Sequence, residues 1–477
     1  MIIRNMEQIA RMCGGRLDER SGSAVVRGVS IDSRTIAPGE LFVPLAGDRF
    51  DGHDYVEAAV RAGAAGVLWR EDRPVPEALR AAGTPVVRVA DTLTALQRLA
   101  GAYRDELGLF VIGITGSNGK TTTKDMTHAL LGTKFRTRKT EGNLNNHIGL
   151  PLTILRLGEE TEAAVLEMGM SDFGEIELLA SIAKPDIAVI TNIGEAHLQQ
   201  LGSREGIARA KLEIAAGLKP GGLLLYNGDE PLLREGVKRT KLADGVRLET
   251  FGLGEGNDWT ATDIELSAQS SAFAVRARGG ALAAEAAAIG RPAVAAAGRH
   301  NVANALAAVA AALHAGVPGA RIREGFASLK LTSMRIEPTR AACGAVVLND
   351  AYNANPTSVR AAIDLVEQLQ GYRRKWLVLG DMLELGPDEA ALHRGIGEYV
   401  TPQKAQGLLT YGPLSRHTAE GAADAFAAAG FGDAVRHFAD KSELAAWLKR
   451  RLGPDDLVLV KGSRGMKMEE VVRALEE

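Results

Sequence analysis

The chain has 477 residues, 46% hydrophobic and 24% charged; at about 100 to 200 residues per domain, this is a multidomain globular protein rather than a small stapled fold or a disordered segment. Lys and Arg number 56 against 59 Asp and Glu, a net charge of −3 with no long run of one sign, which argues against nucleic acid or an anionic membrane as partner. The two cysteines, Cys13 and Cys343, have no C-x-x-C neighbour, so neither a disulfide framework nor a cysteine zinc site is indicated, and a reducing cytoplasm is expected.

The opening MIIRNMEQIARMCGG has no uninterrupted apolar core, and no later stretch reaches the roughly 18 apolar residues of a membrane span. A soluble protein without integral membrane contact is expected. Short elements follow: extended VRGVSI and LFVPLAG, then helices over YVEAAVRAGAAG and TLTALQRLAGAYRDEL. They predict a smaller N-terminal α/β module over residues 1–106. From Leu109 onward, apolar strands alternate with helical periodicity. The strands are FVIGIT, AAVLEMG, DIAVITNIG and GLLLYNG; the helices follow Gly119 and cover GEIELLASIAK and IARAKLEIAAGL. Buried-type strands in that alternation predict a parallel α/β sheet. Residues 246–290 read as shorter strands, RLETFGL, DWTATDIEL and SAFAVRA, expected to form an antiparallel extension, and the alanine-rich helix NVANALAAVAAALHAG comes next. This central unit is placed at 107–331. A second α/β alternation, AVVLND, WLVLGD, GLLTYG, AVRHF and LVLVKG, predicts a C-terminal Rossmann-like domain at 332–477.

The strongest local signal is FVIGITGSNGKTTTKDM, an apolar strand entering a glycine-bearing turn that ends in Lys120 and Thr121 and opens a helix. Backbone N–H groups of such a turn and the helix N-terminus cradle an anion, the lysine adds charge and the threonine hydroxyl suits magnesium. The spacing departs from G-x-x-x-x-G-K-[ST], since the first glycine position is occupied by Ile114 and the glycines stand at Gly113 and Gly116. A glycine-rich βα turn that binds nothing is the alternative. Glu167 in LEMGM and His197 in TNIGEAHL are expected at the ends of the next two strands, where ligands collect in open α/β sheets. Their donor types suit a hard divalent cation; a solvated strand-end carboxylate and a loop histidine are the plainer readings.

TGSNGKTT, LEMG, TNIGEAHL, ARAKLEI and GRHNVANALAA occur in the order found in the Mur ligase family, ATP-dependent amide-forming enzymes of peptidoglycan precursor synthesis, and the resemblance covers nearly the whole chain. The family's phosphate loop has the same shortened glycine spacing. EGNLNNHIGLPLTIL, LNDAYNANPTSV and LGDMLELG resemble the branch that adds D-alanyl-D-alanine to UDP-N-acetylmuramoyl-tripeptide. The diaminopimelate- or lysine-adding branch shares the IDSRTIAPGELFVPLAGDRFDGHDY type of first domain. It is expected to open its third domain with D-Y-A-H-T-P, which is absent here. Another amide ligase of the same superfamily, and a non-catalytic nucleotide-binding regulator, are the competing readings; the regulator is expected to lack the metal and lysine positions.

The resemblance implies ATP and two Mg²⁺ sites as cofactors; a monomer is expected. Thr115, Gly116, Ser117, Asn118, Gly119, Lys120, Thr121 and Thr122 would hold the ATP phosphates. Thr121 and Glu167 would serve one metal, and His197 with Lys211 the other. Lys211 matches the lysine that the family carbamylates; without the resemblance it reads as a solvated helix lysine. Lys120, Glu167, His197 and Lys211 form the implied catalytic set. Asn301, beside His300, is placed near the adenine, with an N-terminal helix cap as the alternative. Arg335 would reach the phosphates and Asp350 the ribose, with Asn353 and Asn355 shaping that loop. Asp32, Ser33 and Arg34 are implied to bind the uridine diphosphate end, and Asn143, Asn145 and Asn146 to approach the substrate. Lys461, Ser463 and Arg464 would either meet the dipeptide or pack the domain.

Overall fold

The computed structural model describes residues 1–18, 23–47 and 50–477; Asp48 and Arg49 of the IDSRTIAPGELFVPLAGDRFDGHDY stretch lie outside the described residues. Among the described residues a five-stranded sheet forms the front of the chain, in the order Arg16–Leu17, Val86–Val89, Gly66–Arg70, Leu41–Phe42 and Val29–Ser30. Only its Arg16–Leu17 edge runs antiparallel. The front helix Thr92–Glu106 begins at Asp91, whose side chain accepts the Thr94 N–H, and buries Leu96, Leu99 and Tyr103. That face does not stop at the front sheet. It continues through Leu150, Leu152 and Ile154 into the central unit in one apolar cluster, and the Tyr103 hydroxyl donates to the Leu157 carbonyl at 2.9 Å. The front module is therefore welded to the central sheet by shared apolar burial.

The central sheet has nine strands among the described residues. From one edge they run Thr137–Lys139, Ala163–Glu167, Phe110–Thr115, Ile187–Ile190, Leu223–Asn227, Arg247–Phe251, Trp259–Leu266, Ser271–Ala277 and Ala293–Val294. The expected antiparallel extension begins later than the sequence reading placed it. Arg247–Phe251 lies parallel to Leu223–Asn227, because the Pro231–Val237 helix between them returns the chain in the same direction. Antiparallel pairing starts only with the Trp259–Leu266 and Ser271–Ala277 hairpin. Behind the sheet, the helix Arg299–His314 buries a nearly continuous alanine run against the Lys120–Leu131 helix; its small side chains allow that close approach.

The last sheet has Glu337–Arg340 as an antiparallel edge, followed by the parallel strands Val346–Asp350, Leu457–Lys461, Lys375–Gly380, Gly407–Tyr411 and Val435–Phe438. Helices cover both faces, giving separate apolar clusters around Leu348 and Leu459 and around Val347 and Val460. This is the doubly wound arrangement the alternating pattern predicts. Among the described residues no helix is long and apolar enough to cross a membrane.

Candidate active site

Strand order creates the site. The chain enters the central sheet at Phe110–Thr115, adds strands on one side, then crosses to the other at Ile187–Ile190. Loops leaving the carboxyl ends of these neighbours diverge around a crevice, the place where open α/β sheets bind ligands. Residues 116–119 turn through that crevice. Gly116 has φ 146° and Gly119 φ 80°. A Cβ at Gly116 would stand 1.9 Å from Thr191 Oγ1, and one at Gly119 would stand 2.4 Å from Asn304 Oδ1, so backbone conformation and space both demand glycine there. The turn is pinned to the next loop by Ser117 N donating to Asn192 O at 3.0 Å and Asn118 N donating to Asn192 Oδ1 at 2.9 Å.

Lys120 opens the helix and curls its ammonium onto the turn, donating to Gly116 O at 2.8 Å. Burial lowers its pKa, against the opposing pull of Glu167. Thr121 Oγ1 donates to Glu167 Oε2 at 3.0 Å, and Asn145 Nδ2 donates to Glu167 Oε1 at 2.8 Å. Glu167 ends its strand as expected, is 3% exposed, and has the buried Lys124 ammonium 3.9 Å away. His197 is not at a strand end: its strand stops at Ile190, and His197 sits seven residues on with φ 63°. The intervening loop is held over the phosphate turn instead. Burial first, then the charges of Lys211 and Lys120, bring His197 down to about 4, so the ring is neutral near pH 7.

Lys211 is 1% exposed. The solvated-helix reading is thus overturned: the Arg204–Leu212 helix turns this side chain into the protein, and burial followed by the Lys120 charge holds its pKa well below the ordinary lysine value. A hollow of about 670 Å³ lies beside the same helix, lined by Arg209 and Leu212, and includes none of the implied catalytic residues.

The C-terminal unit closes the other side. Arg335 donates to Thr121 Oγ1 at 3.2 Å and stacks on Tyr352, its guanidinium carbon 4.0 Å from the ring centre, while its buried Nε has no partner. Asp350 and Lys461 are the facing last residues of adjacent parallel strands, and their register produces an ion pair of 2.6 Å. Lys461 also donates to Asn353 O at 2.9 Å and is 3% exposed, which gives it a place within the cleft wall rather than free for a dipeptide. Ser463 bridges Leu383 N and Ala354 O, a packing role, and Arg464 pairs with Glu469 at 2.7 Å. Asn301 is not a helix cap: Gly298 holds that position, and Asn301, inside the helix, donates to Ala297 O at 2.8 Å. It accepts from Asn304 at 3.1 Å. A cavity of about 110 Å³ between the two sheets is lined by Asn118, Gly119, Thr122, Asn301, Arg335 and Asp350, among others.

The structure thus gathers Thr115 through Thr122, Asn145, Glu167, His197, Lys211, Asn301, Arg335 and Asp350 around one crevice. Other expected residues stand apart. Asp32, Ser33 and Arg34 form a turn of the front sheet in which only Arg34 is fully exposed; Arg34 pairs with Asp32 at 2.7 Å and that guanidinium lowers the Asp32 pKa to about 2. Asn143 is exposed, and Asn146 accepts from Gly149 N at 2.8 Å at the start of the next helix. Sequence reading missed Asn304, Asn192 and Lys124. Asn304 carried a usable signal, since asparagines three apart on an alanine helix share one face.

Similarity to known proteins agrees with this geometry along the full chain. Residues 25–104 match the Mur ligase family catalytic domain, 114–312 the Mur ligase middle domain and 334–464 the Mur ligase glutamate ligase domain. The chain belongs to the Mur ligase family and is an ATP-dependent amide-forming ligase. Within that family it is 48% identical over 478 residues to the UDP-N-acetylmuramoyl-tripeptide–D-alanyl-D-alanine ligase of Bacillus subtilis (strain 168), covering 100% of this chain and 99% of the relative. A crystal structure of MurF from Acinetobacter baumannii superposes with TM-score 0.86 at 32% identity, covering 100% of this chain and 99% of that one. MurF from Thermotoga maritima in complex with ADP gives TM-score 0.79 at 28% identity, covering 94% and 97%.

Proposed function

We propose that this chain joins D-alanyl-D-alanine to UDP-N-acetylmuramoyl-tripeptide, cleaving ATP to ADP and phosphate through an acyl-phosphate intermediate. The observation that carries the reading is the convergence of Lys120, Thr121, Glu167 and Lys211 at one switch-point crevice, in a chain similar over its full length to a UDP-N-acetylmuramoyl-tripeptide–D-alanyl-D-alanine ligase. Residues 107–331 hold the nucleotide phosphates, 332–477 cover the nucleotide, and 1–106 take the uridine diphosphate end with Ser33 and Arg34. The enzyme acts in the cytoplasm, where ATP is supplied, and as a monomer, because one chain provides every group named here.

A carboxylate resists nucleophiles because charge and resonance oppose attack, so its activation comes first. The peptide carboxylate oxygen attacks the γ-phosphorus and the bond to the ADP oxygen breaks. The uncharged amine of D-alanyl-D-alanine then attacks the acyl carbon, the carbon–oxygen bond to phosphate breaks, and phosphate leaves with the amine's proton lost to the medium. Two anions meet in the first step. Lys120, released from its own loop carbonyls, and Arg335, held by Tyr352, neutralise the phosphate oxygens. Asn145 aims Glu167, while Asp350 accepts from the ribose hydroxyls and Asn301 lies beside the adenine.

Among the described residues no three His, Cys, Asp or Glu side chains converge as a ready metal site. The donors that do meet, the Thr121 hydroxyl and the Glu167 carboxylate, are hard oxygens, and magnesium bound by one or two protein oxygens with phosphate fits them. At the second position His197 is neutral, but Lys211 as a plain amine offers no oxygen. Its depressed basicity leaves that amine free to add carbon dioxide, and the resulting carbamate would supply the missing anionic oxygens beside His197. Bound magnesium supplies charge neutralisation between carboxylate and phosphate.

Inorganic phosphate release tests the reading. ATP and UDP-N-acetylmuramoyl-tripeptide are supplied with a panel of amines; release dependent on D-alanyl-D-alanine is expected. Turnover indifferent to every amine would overturn the assignment.

A further inference from the structure

Two contacts between the central and C-terminal units fall outside the catalytic set, yet both land on the phosphate loop or the loop beside it. Asn118 and Asn355 exchange side-chain hydrogen bonds, Asn118 Nδ2 to Asn355 Oδ1 at 3.2 Å and Asn355 Nδ2 to Asn118 Oδ1 at 2.8 Å. Glu195 Oε2 accepts from Thr357 N at 3.0 Å and Thr357 Oγ1 at 2.6 Å. Asn355 is also the N-cap of the Pro356–Gln368 helix, accepting the Ser358 N–H at 2.9 Å. The first turn of that helix leaves backbone N–H groups that need acceptors; here one comes from its own cap and one from the other domain. We propose that this helix start is a docking clamp, in which Asn355 and Thr357 engage Asn118 and Glu195 and thereby hold Arg335 and Asp350 against the bound nucleotide.

The surroundings carry the inference further. Asn355 is 2% exposed, so its amide is committed to this contact. Gly194 lies between the two halves: a Cβ there would stand 3.0 Å from Asn118 Nδ2 and 3.3 Å from Thr357 Cβ, so even one methyl group must push the partners apart. Asp350 ends its strand five residues before Asn355, and Asn118 stands two residues before Lys120. Engagement of the clamp therefore registers the ribose side of the cleft against its phosphate side. Asn118, Glu195, Asn355 and Thr357 are positioning residues, and their role rests on the nucleotide-binding reading given above.

Asn355→Asp separates clamping from folding. Aspartate caps a helix as well as asparagine, so the Ser358 bond survives, but a carboxylate cannot donate to Asn118 Oδ1. Gly194→Ala is the second variant. Each is measured for melting temperature, for ADP affinity by titration without other substrates, and for KM of ATP and of the UDP-muramoyl peptide. With net worth of about 0.5–1.5 kcal/mol for the one hydrogen bond lost and tenfold per 1.4 kcal/mol, weakening of ADP affinity and a rise in KM for ATP of roughly two- to twelvefold are expected. Melting temperature and KM for the muramoyl peptide should stay as in the parent. ADP affinity and KM for ATP within about twofold of the parent in both variants would overturn the clamp, as would equal loss for both substrates accompanied by a lowered melting point. ADP titration does not depend on which amine is used, so failure here is distinguishable from failure of the ligase reading in the phosphate-release panel.

Discussion

Asp125, in the phosphate-loop helix, is the test of how the linker to the C-terminal unit is anchored. Its carboxylate is fully enclosed and accepts from Lys139 at 2.7 Å and from Thr332 N and Oγ1 at 2.9 and 2.8 Å, with the buried Lys124 ammonium 3.5 Å away. Burial opposes ionisation, but Lys124 and Lys139 outweigh it and hold the pKa below the ordinary 3.8. Asp125→Asn keeps the shape and removes the charge. One oxygen remains for donors on two sides, and the new NH₂ must face either a lysine or Thr332. Removing one partner of a buried ionic contact costs about 3–5 kcal/mol; since Glu167 still faces Lys124, the lower end applies. At about 2–4 °C per kcal/mol for a unit of some 200 residues, the central unit should melt roughly 6–12 °C lower. Thr332 would be released three residues before Arg335, so KM for ATP should rise as well. The stabilisation is present above the ordinary carboxylate pKa and is lost as pH falls through the lowered folded value, so the variant's acid-side decline should be shallower than the parent's by the Asp125 contribution. Scanning calorimetry across pH with phosphate-release kinetics is the assay. Superimposable melting curves and an unchanged KM would refute the anchoring role.

Glu167→Gln should lower phosphate release by about 10² or more, with the loss deepest at low magnesium, because an amide presents only one oxygen to Thr121 and Asn145; a magnesium titration unchanged from the parent would count against Glu167 as a ligand. His300, whose pKa is brought to about 4 by burial with the Lys461 charge against Asp350, stays neutral where the unfolded chain's histidine near 6.5 takes up a proton. Its stability contribution is therefore whole above pH 6.5 and falls between there and about pH 4, by at most about 3 kcal/mol. His300→Gln should flatten the melting temperature over that interval, and equal slopes in parent and variant would remove His300 from the account.

The phosphate loop was legible because its requirements are local: a buried strand, glycines at a sharp turn, and Lys120 and Thr121 at a helix start all lie within a dozen consecutive positions. Alternation of apolar strands with helices announced both larger sheets for the same reason. Lys211 was opaque. Its neighbours ARAKLEI describe an ordinary helix, and only the packing of that helix decides whether the side chain meets water. Asn301 shows the limit differently, since one residue type serves as cap or interior donor depending on where the helix begins; Gly298 moved that beginning three residues upstream. The onset of antiparallel pairing was misjudged because alternation along a strand carries no information on its neighbour's direction.

Taken alone, the order of residues determined which segments would be strands, where the backbone would bend around a phosphate, and which chemistry the turn could support. Tertiary structure decided which of the remaining polar groups work together. Asn118 and Asn355 are 237 positions apart, and Asp350 and Lys461 are separated by 111. Such pairs depend on sheet register and on the docking of two sheets, each with its own apolar cores, and those cores are satisfied by any apolar side chain of suitable size. Hydrophobic periodicity therefore specifies that the sheets form, while the polar contacts made across their meeting edges settle how the site is assembled.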